Sequence, residues 1–202
     1  KAQDATTIEA GWRGRAAMLS WDVVLYHSWV RNELLSLRDD TGVALGAVNA
    51  PHTRHLGLEL GLGAQLLPQL AGRLAYTWQD FRFADDPLRG DNRLAGAPRH
   101  WLSMTLAWQP MDGLSLQTAL RWVPEKTPVD NLATLYSDAY ATADLRGEYR
   151  LSARLSVFAE ITNLFDATYA SSTLIVDQAR PDQAAFLPGG GRAFGGGLRF
   201  TF

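Results

Sequence analysis

Gly191-Arg192-Ala193-Phe194-Gly195-Gly196-Gly197-Leu198-Arg199-Phe200-Thr201-Phe202 closes the chain, and the parity of this stretch decides the fold. Phe194, Gly196, Leu198, Phe200 and Phe202 share one face of an extended strand. Ala193, Gly195, Gly197, Arg199 and Thr201 share the other, because successive side chains of a strand point to opposite sides. Working back along the chain, the same two-face pattern recurs. Leu114, Leu116, Leu120 and Trp122 alternate with Ser115, Gln117 and Arg121, and Leu102, Met104, Leu106 and Trp108 with Ser103, Thr105 and Gln109. Leu58, Leu60, Leu62 and Leu66 alternate with Gly57, Glu59, Gly61, Gly63 and Gln65. Helical periodicity is hard to find anywhere, and a strand with one polar face fits any half-buried antiparallel sheet, so alternation alone reads as all-β.

The connections carry more than the strands. Nine strands are expected at 4–13, 17–36, 54–67, 70–83, 99–111, 113–128, 139–151, 154–171 and 191–202. Short turns fall at Gly14-Arg15, Pro68-Gln69, Met111-Asp112-Gly113 and Ser152-Ala153. Long polar links fall between them at 37–53, 84–98, 129–138 and 172–190. A soluble sandwich has no reason to gather every short turn at one end. An up-and-down transmembrane β-barrel has one, with short turns on the periplasmic side and long loops outside.

Tryptophan is abundant, with 7 in the chain, and its placement tests this reading independently. Trp12, Trp21 and Trp108 lie near short turns, whereas Trp29, Trp78 and Trp122 lie far up their strands toward the long links. All six share the apolar parity, and Trp101 alone takes the other. Indole rings favour the headgroup boundary, so two levels of tryptophan on one face read as an aromatic girdle. The opposite parity carries Asp22, Glu59, Arg73, Gln117, Arg121, Asp144, Arg146, Glu160 and Arg199. Facing lipid, an arginine at mid-strand would cost about 2–4 kcal/mol. Facing a wet or plugged lumen, it costs little and can pair.

No run approaches the ~18 apolar residues of a membrane helix, which says nothing about barrel strands. A net charge of -2, with no basic cluster interleaved by aromatics, gives no nucleic-acid footprint. Cys is absent, which removes disulfides and thiolate chemistry. His52 and His55 stand near a loop-to-strand junction with His27 and His100 elsewhere, but no carboxylate trio or Cys completes a metal set. Asp85, Asp86, Asp91 and Asn92 lack the spacing of a calcium loop. Gly189-Gly190-Gly191 sits in no strand-loop-helix unit, so it cradles no nucleotide. Nothing arranges Ser, His and Asp as a hydrolytic triad. The expectation is no enzyme, no cofactor and no resident metal.

Several short motifs occur in order. They are Asn49-Ala50-Pro51 followed by Gly57-Leu58-Glu59, then Tyr76-Thr77-Trp78, then Gly96-Ala97-Pro98-Arg99-His100. After these come Asn163-Leu164-Phe165-Asp166 with Tyr169, and Pro188-Gly189-Gly190-Gly191-Arg192 ahead of the terminal Phe202. Together they resemble the C-terminal barrel of TonB-dependent outer-membrane receptors across the whole chain. The resemblance implies a 22-stranded barrel in the bacterial outer membrane, closed around an N-terminal plug domain that carries the TonB box. It implies partners too: outer-membrane lipid, the receptor's own plug, TonB, and the barrel-assembly machinery, for which Phe202 resembles the recognition signal. Residues 1–202 are then about nine strands of that larger barrel, with plug and TonB box lying upstream; a start at Lys1 without a signal segment agrees with this.

The function so implied is energised uptake of a scarce substrate, most often a ferric siderophore. Arg89, Arg93, Tyr136, Arg180 and Phe186 in the long links are the candidate substrate contacts, since Arg pairs with carboxylate or catecholate oxygens. A passive outer-membrane pore is the rival, and a soluble β-sandwich binding module is the third reading.

Overall fold

The computed structural model describes residues 1–39, 41, 43–180 and 182–202; residues 40, 42 and 181, inside two of the expected links, lie outside it. Its strands are β1 (Asp4–Ala16), β2 (Leu19–Arg38), β3 (Ala44–Leu67), β4 (Leu70–Phe83), β5 (His100–Met111) and β6 (Leu114–Val123), followed by short β7 (Thr127–Pro128) and β8 (Tyr136–Ser137). Then come β9 (Tyr140–Arg150), β10 (Leu155–Thr162), short β11 (Ala170–Thr173) and β12 (Phe186–Pro188), and finally β13 (Ala193–Phe200). Nine of them form one antiparallel sheet in the order β1-β2-β3-β4-β5-β6-β9-β10-β13. β7 with β8 and β11 with β12 are small hairpins within the long links. Each long strand pairs only with the long strands before and after it, the up-and-down order expected from the turns.

Register fixes the two faces, because directly opposed residues of an antiparallel pair point the same way. One chain of opposed pairs runs Val23–Leu60–Tyr76–Leu102–Trp122–Ala141. A second runs Leu145–Ile161–Phe194. This face carries all six tryptophans of the expected girdle, with Trp12 and Trp21 in contact at 5.1 Å between ring centroids. Trp21 lies across Gly14, where an added Cβ would come within 2.4 Å of the indole, so glycine there lets the ring lie flat. Leu198 on this face is 62% exposed and Phe194 74% exposed, apolar groups with no protein neighbour to cover them.

The opposite face is polar and internally paired. Arg146 donates to Glu160 at 2.7 Å and lies 4.2 Å over the Phe158 ring. Arg199 donates to Glu148 at 2.9 Å, and Arg121 to Asp144 at 3.3 Å. Every charge assigned to the lumen from parity is on this side, and so is Trp101, opposite Thr77. Gln117, Asp144, Arg146 and Glu160 help line a concavity of about 560 Å³ in the wall.

Four boundaries differ from expectation. The first turn is at Ala17-Met18, not Gly14-Arg15, since pairing continues to Ala16↔Leu19 and Ala17 takes the positive φ of 47°. The link expected at 37–53 is mostly strand: β2 and β3 stay paired to Arg38↔Ala44, and Asn32 takes a φ of 51° within that long hairpin. β6 stops at Val123 because Pro124 offers no amide to the ladder. β10 stops at Thr162, where Asn163 at φ 47° and Asp166 at φ 54° turn the chain out of the sheet.

The described apolar core lies wholly at the long-link end. Ala50, Phe83 and Leu94 cluster with Leu35 and Phe81 against them, and Val30, Val123, Val129, Val176 and Ala185 are also buried. Val30 and Phe83 belong to the polar face by register, through Val30↔Thr53↔Phe83, so the links fold over that side of the wall.

Leu198→Arg is expected to impair membrane assembly of the receptor barrel by about 2–4 kcal/mol, and Arg199→Leu far less. Heat-modifiable migration after refolding into bilayers measures both; equal effects would overturn the assignment of faces.

Candidate ligand-facing surface

Two layers build the outer mouth of the polar face. The lower layer is a row of aromatic side chains at successive register positions. Tyr26 lies across Gly57, where a Cβ would come within 2.3 Å of its ring. One step outward His55 stacks on Phe81 with centroids 4.4 Å apart, and Tyr26 meets the same Phe81 at 6.5 Å. Further round the wall Trp101 is 37% exposed, and Tyr140 stacks on Tyr169 at 4.8 Å. Polar groups are interleaved: Glu33 accepts from the Thr53 hydroxyl and sits 3.1 Å from His55 Nε2, and Gln79 donates to the Pro98 carbonyl at 2.7 Å. The Arg99 Nε is buried with no hydrogen-bond partner among the described residues. Aromatic faces with sparse, placed polar groups suit a flat, partly aromatic anion.

The upper layer is a clasp joining three links. Arg89 makes a two-pronged pair with Asp177, Nε to Oδ1 and Nη2 to Oδ2, both at 2.7 Å, and a third bond from Nη1 to Asp86 at 3.2 Å. Its guanidinium also covers the Phe83 ring at 5.1 Å. Asn131 donates to Asp177 at 3.0 Å and accepts from the Ala95 amide at 3.2 Å, while Asn92 donates to the Asn131 carbonyl at 3.1 Å. The fully buried Asp130 accepts from the amides of Thr134 and Leu135 in its own link and of Ala179 in another. Such buried carboxylates survive only because their lone pairs are filled.

Burial pushes the Asp177 carboxyl upward, but the bonds from Arg89 and Asn131 outweigh it and hold the group below the ordinary aspartate range. Burial likewise opposes the Asp130 charge, and the amides of Ala179 and Thr134 with the Thr134 hydroxyl hold it low. Carboxyls lowered in the folded state contribute stability that is present above their unfolded pKa and is lost as pH falls through the folded one. The clasp therefore keeps its full strength above the ordinary aspartate range and weakens as pH falls below it.

The five substrate contacts expected from sequence are not assembled together. Arg89 is 8% exposed and committed to the clasp, so it braces links and offers little to a solute. Arg93 lies opposite Arg82 on the apolar side of the wall, 4.0 Å from Glu125, facing away from the lumen. Tyr136 in the β7–β8 hairpin and Phe186 in the β11–β12 hairpin are exposed, at 41% and 42%. Arg180 stands 3.5 Å from Asp182 on the link between β11 and β12. Tyr26, Phe81 and Tyr140 carry no expected role in sequence, and His55 is weighed there only as a metal ligand; their face, shared with Trp101 and Glu59, is the available signal. Among the described residues no group of three or more His, Asp or Glu is poised to hold a metal ion.

Weakening the clasp with Asp177→Asn should cost about 1–3 kcal/mol locally. Hydrogen exchange should then speed up in 84–99 and 124–139 and stay unchanged in the ladder amides; protected links in the variant would sink the coupling.

Comparison with known proteins agrees with this geometry. The family described as TonB dependent receptor-like, beta-barrel matches residues 1–164. The ferric enterobactin receptor of Pseudomonas aeruginosa is 39% identical over 82 residues, an alignment covering 36% of this chain and 11% of that protein. In structure, the ferric yersiniabactin uptake receptor FyuA of Yersinia pestis superposes with a TM-score of 0.82 at 19% identity, over 99% of this chain and 30% of FyuA. The copper transporter OprC gives 0.76 at 20% identity, over 99% of this chain and 31% of its own. The chain thus spans under a third of the length of these relatives, and the likeness in structure speaks for the fold. With the family matched over most of the sequence and the same barrel wall in its relatives, the chain belongs to the TonB-dependent receptor β-barrels of the bacterial outer membrane.

Proposed function

We propose that this chain is the C-terminal part of a receptor barrel that takes up a ferric siderophore with energy delivered through TonB to a plug domain elsewhere in the protein. The observation that carries the reading is the mouth of the polar face, where Tyr26, His55, Trp101, Tyr140 and Tyr169 lie beneath three links tied by Arg89, Asp177 and Asn131. The partial match to a ferric enterobactin receptor supports an iron chelate as the cargo.

The physical logic is division of labour. Links held by buried ion pairs keep a fixed opening, and exposed tip residues Tyr136, Arg180 and Phe186 make first contact with an arriving solute. Aromatic faces below receive the flat ligand rings of the chelate, and the half-buried Arg99 on the same face supplies positive charge for their oxygens. The six tryptophans Trp12, Trp21, Trp29, Trp78, Trp108 and Trp122 anchor the wall at the two lipid boundaries. Phe202, wholly exposed beyond β13, is free for the assembly machinery to engage.

Tyr26→Ala combined with Trp101→Ala should weaken binding of a ferric catecholate by about tenfold, the loss of two aromatic contacts at ~0.5–1.5 kcal/mol each. Binding to the purified receptor and uptake of radioactive iron by cells with and without TonB measure this. Uptake that persists without TonB would establish a passive pore instead. Unchanged affinity in the double variant would remove the aromatic wall from the site.

A further inference from the structure

The apolar face carries one feature that cargo uptake does not use. Arg54 on β3 is directly opposite Arg82 on β4, and Arg82 is directly opposite Arg93 in the following link. Strands lie about 4.8 Å apart, so three guanidinium stems stand abreast within about 10 Å on one side of the wall. Like charges placed directly opposite one another repel and destabilise a sheet unless something neutralises them. Arg31 adds a fourth cation on the same face, two residues beyond Trp29 and opposite His52.

Protein carboxylates answer this charge only in part. Arg82 donates to Asp80 at 2.8 Å and to the Asp91 carbonyl at 3.3 Å. Glu125 is 3.3 Å from His100 and only 4.0 Å from Arg93, whose buried Nη1 has no hydrogen-bond partner among the described residues. Arg54 and Arg31 are exposed and have no polar side-chain partner among the described residues.

Position selects the occupant. Trp29 is directly opposite Arg54, and Trp78 lies four residues inward of Arg82 on β4, so the row begins where the outer level of tryptophans ends. It is also on the far side of the wall from the lumen, where a solute in transit does not pass. We propose that Arg54, Arg82 and Arg93, flanked by Arg31, form a docking strip for the phosphate groups of an anionic lipid headgroup in the outer leaflet. Arginine suits this task because its planar fork makes paired, charge-assisted bonds to phosphate oxygens. A phosphate set beside Arg54 and Arg82 also offsets the repulsion that Asp80 and Glu125 leave uncompensated. The proposal rests on the assignment of the apolar face to lipid and of the long-link end to the outside, and is independent of which cargo the receptor takes.

The test uses the intact receptor, purified in detergent and checked for heat-modifiable folding, with native mass spectrometry as the readout. The probes are lipid A bearing both phosphates, lipid A stripped of phosphate, and inorganic phosphate. Expected is retention of the phosphorylated lipid by the wild type and about tenfold weaker retention by Arg54→Gln/Arg82→Gln. Arg73→Gln, which removes a charge from the lumen face, should retain lipid like the wild type. Equal retention by the double variant, or equal loss in Arg73→Gln, would overturn the strip. So would equal retention of the stripped lipid, or full displacement by millimolar inorganic phosphate, which would mark a site for free anions. Iron uptake by the same variants is scored separately, so a wrong cargo leaves this result intact.

Discussion

A backbone that crosses hydrocarbon must satisfy every amide and carbonyl within the protein, and in a strand it can do so only through its neighbours. The nine-stranded ladder meets that demand, and it leaves side chains one degree of freedom, the choice of face. Leucine, tryptophan and phenylalanine then fall on one parity, arginine, glutamate and aspartate on the other. The same demand bears on the edges of the ladder, β1 and β13, whose outer backbone groups need a further strand before they can rest in lipid.

Because the apolar face is turned outward, the wall itself has little interior. Burial of the usual kind occurs only past the long-link end, where Phe83, Leu94, Ala50 and Val176 are enclosed. That small core lacks the area to hold three long links by apolar contact alone. Polar groups take over: the buried Arg89, Asn131 and Asp130 and the half-buried Asp177 each satisfy several partners at once, and each joins residues far apart in sequence. Register positions the wall, and ion pairs position the mouth.

Parity made the wall legible in sequence, since a slip of one residue would have exchanged the faces of Leu198 and Arg199. The number of long strands and the faces of all seven tryptophans were readable for that reason. Strand ends were harder, because pairing can run beyond the lipid boundary wherever the partner strand continues. The β2–β3 hairpin does so, out to Arg38↔Ala44, although residues 37–53 look like a link. The mouth was hardest. Arg89 and Arg93 are both exposed-looking arginines in one polar segment, yet one is buried against Asp177 and the other turned outward beside Glu125. No local pattern separates them, because the deciding partners lie in other links.

The nearest-neighbour order of the sheet has a consequence for how the wall comes into being. No pairing requires a segment to wait for a distant one; each hairpin can zip onto its predecessor with a small loss of chain freedom. The widest gap, between Thr162 and Ala193, costs only about 2 kcal/mol more to close than a two-residue turn. The clasp obeys the opposite rule. Arg89 and Asp177 are separated by β5, β6, β9 and β10, so their contact closes a far longer stretch of chain than any hairpin of the wall does. A wall arrested part-way would thus be a ladder with its gate untied.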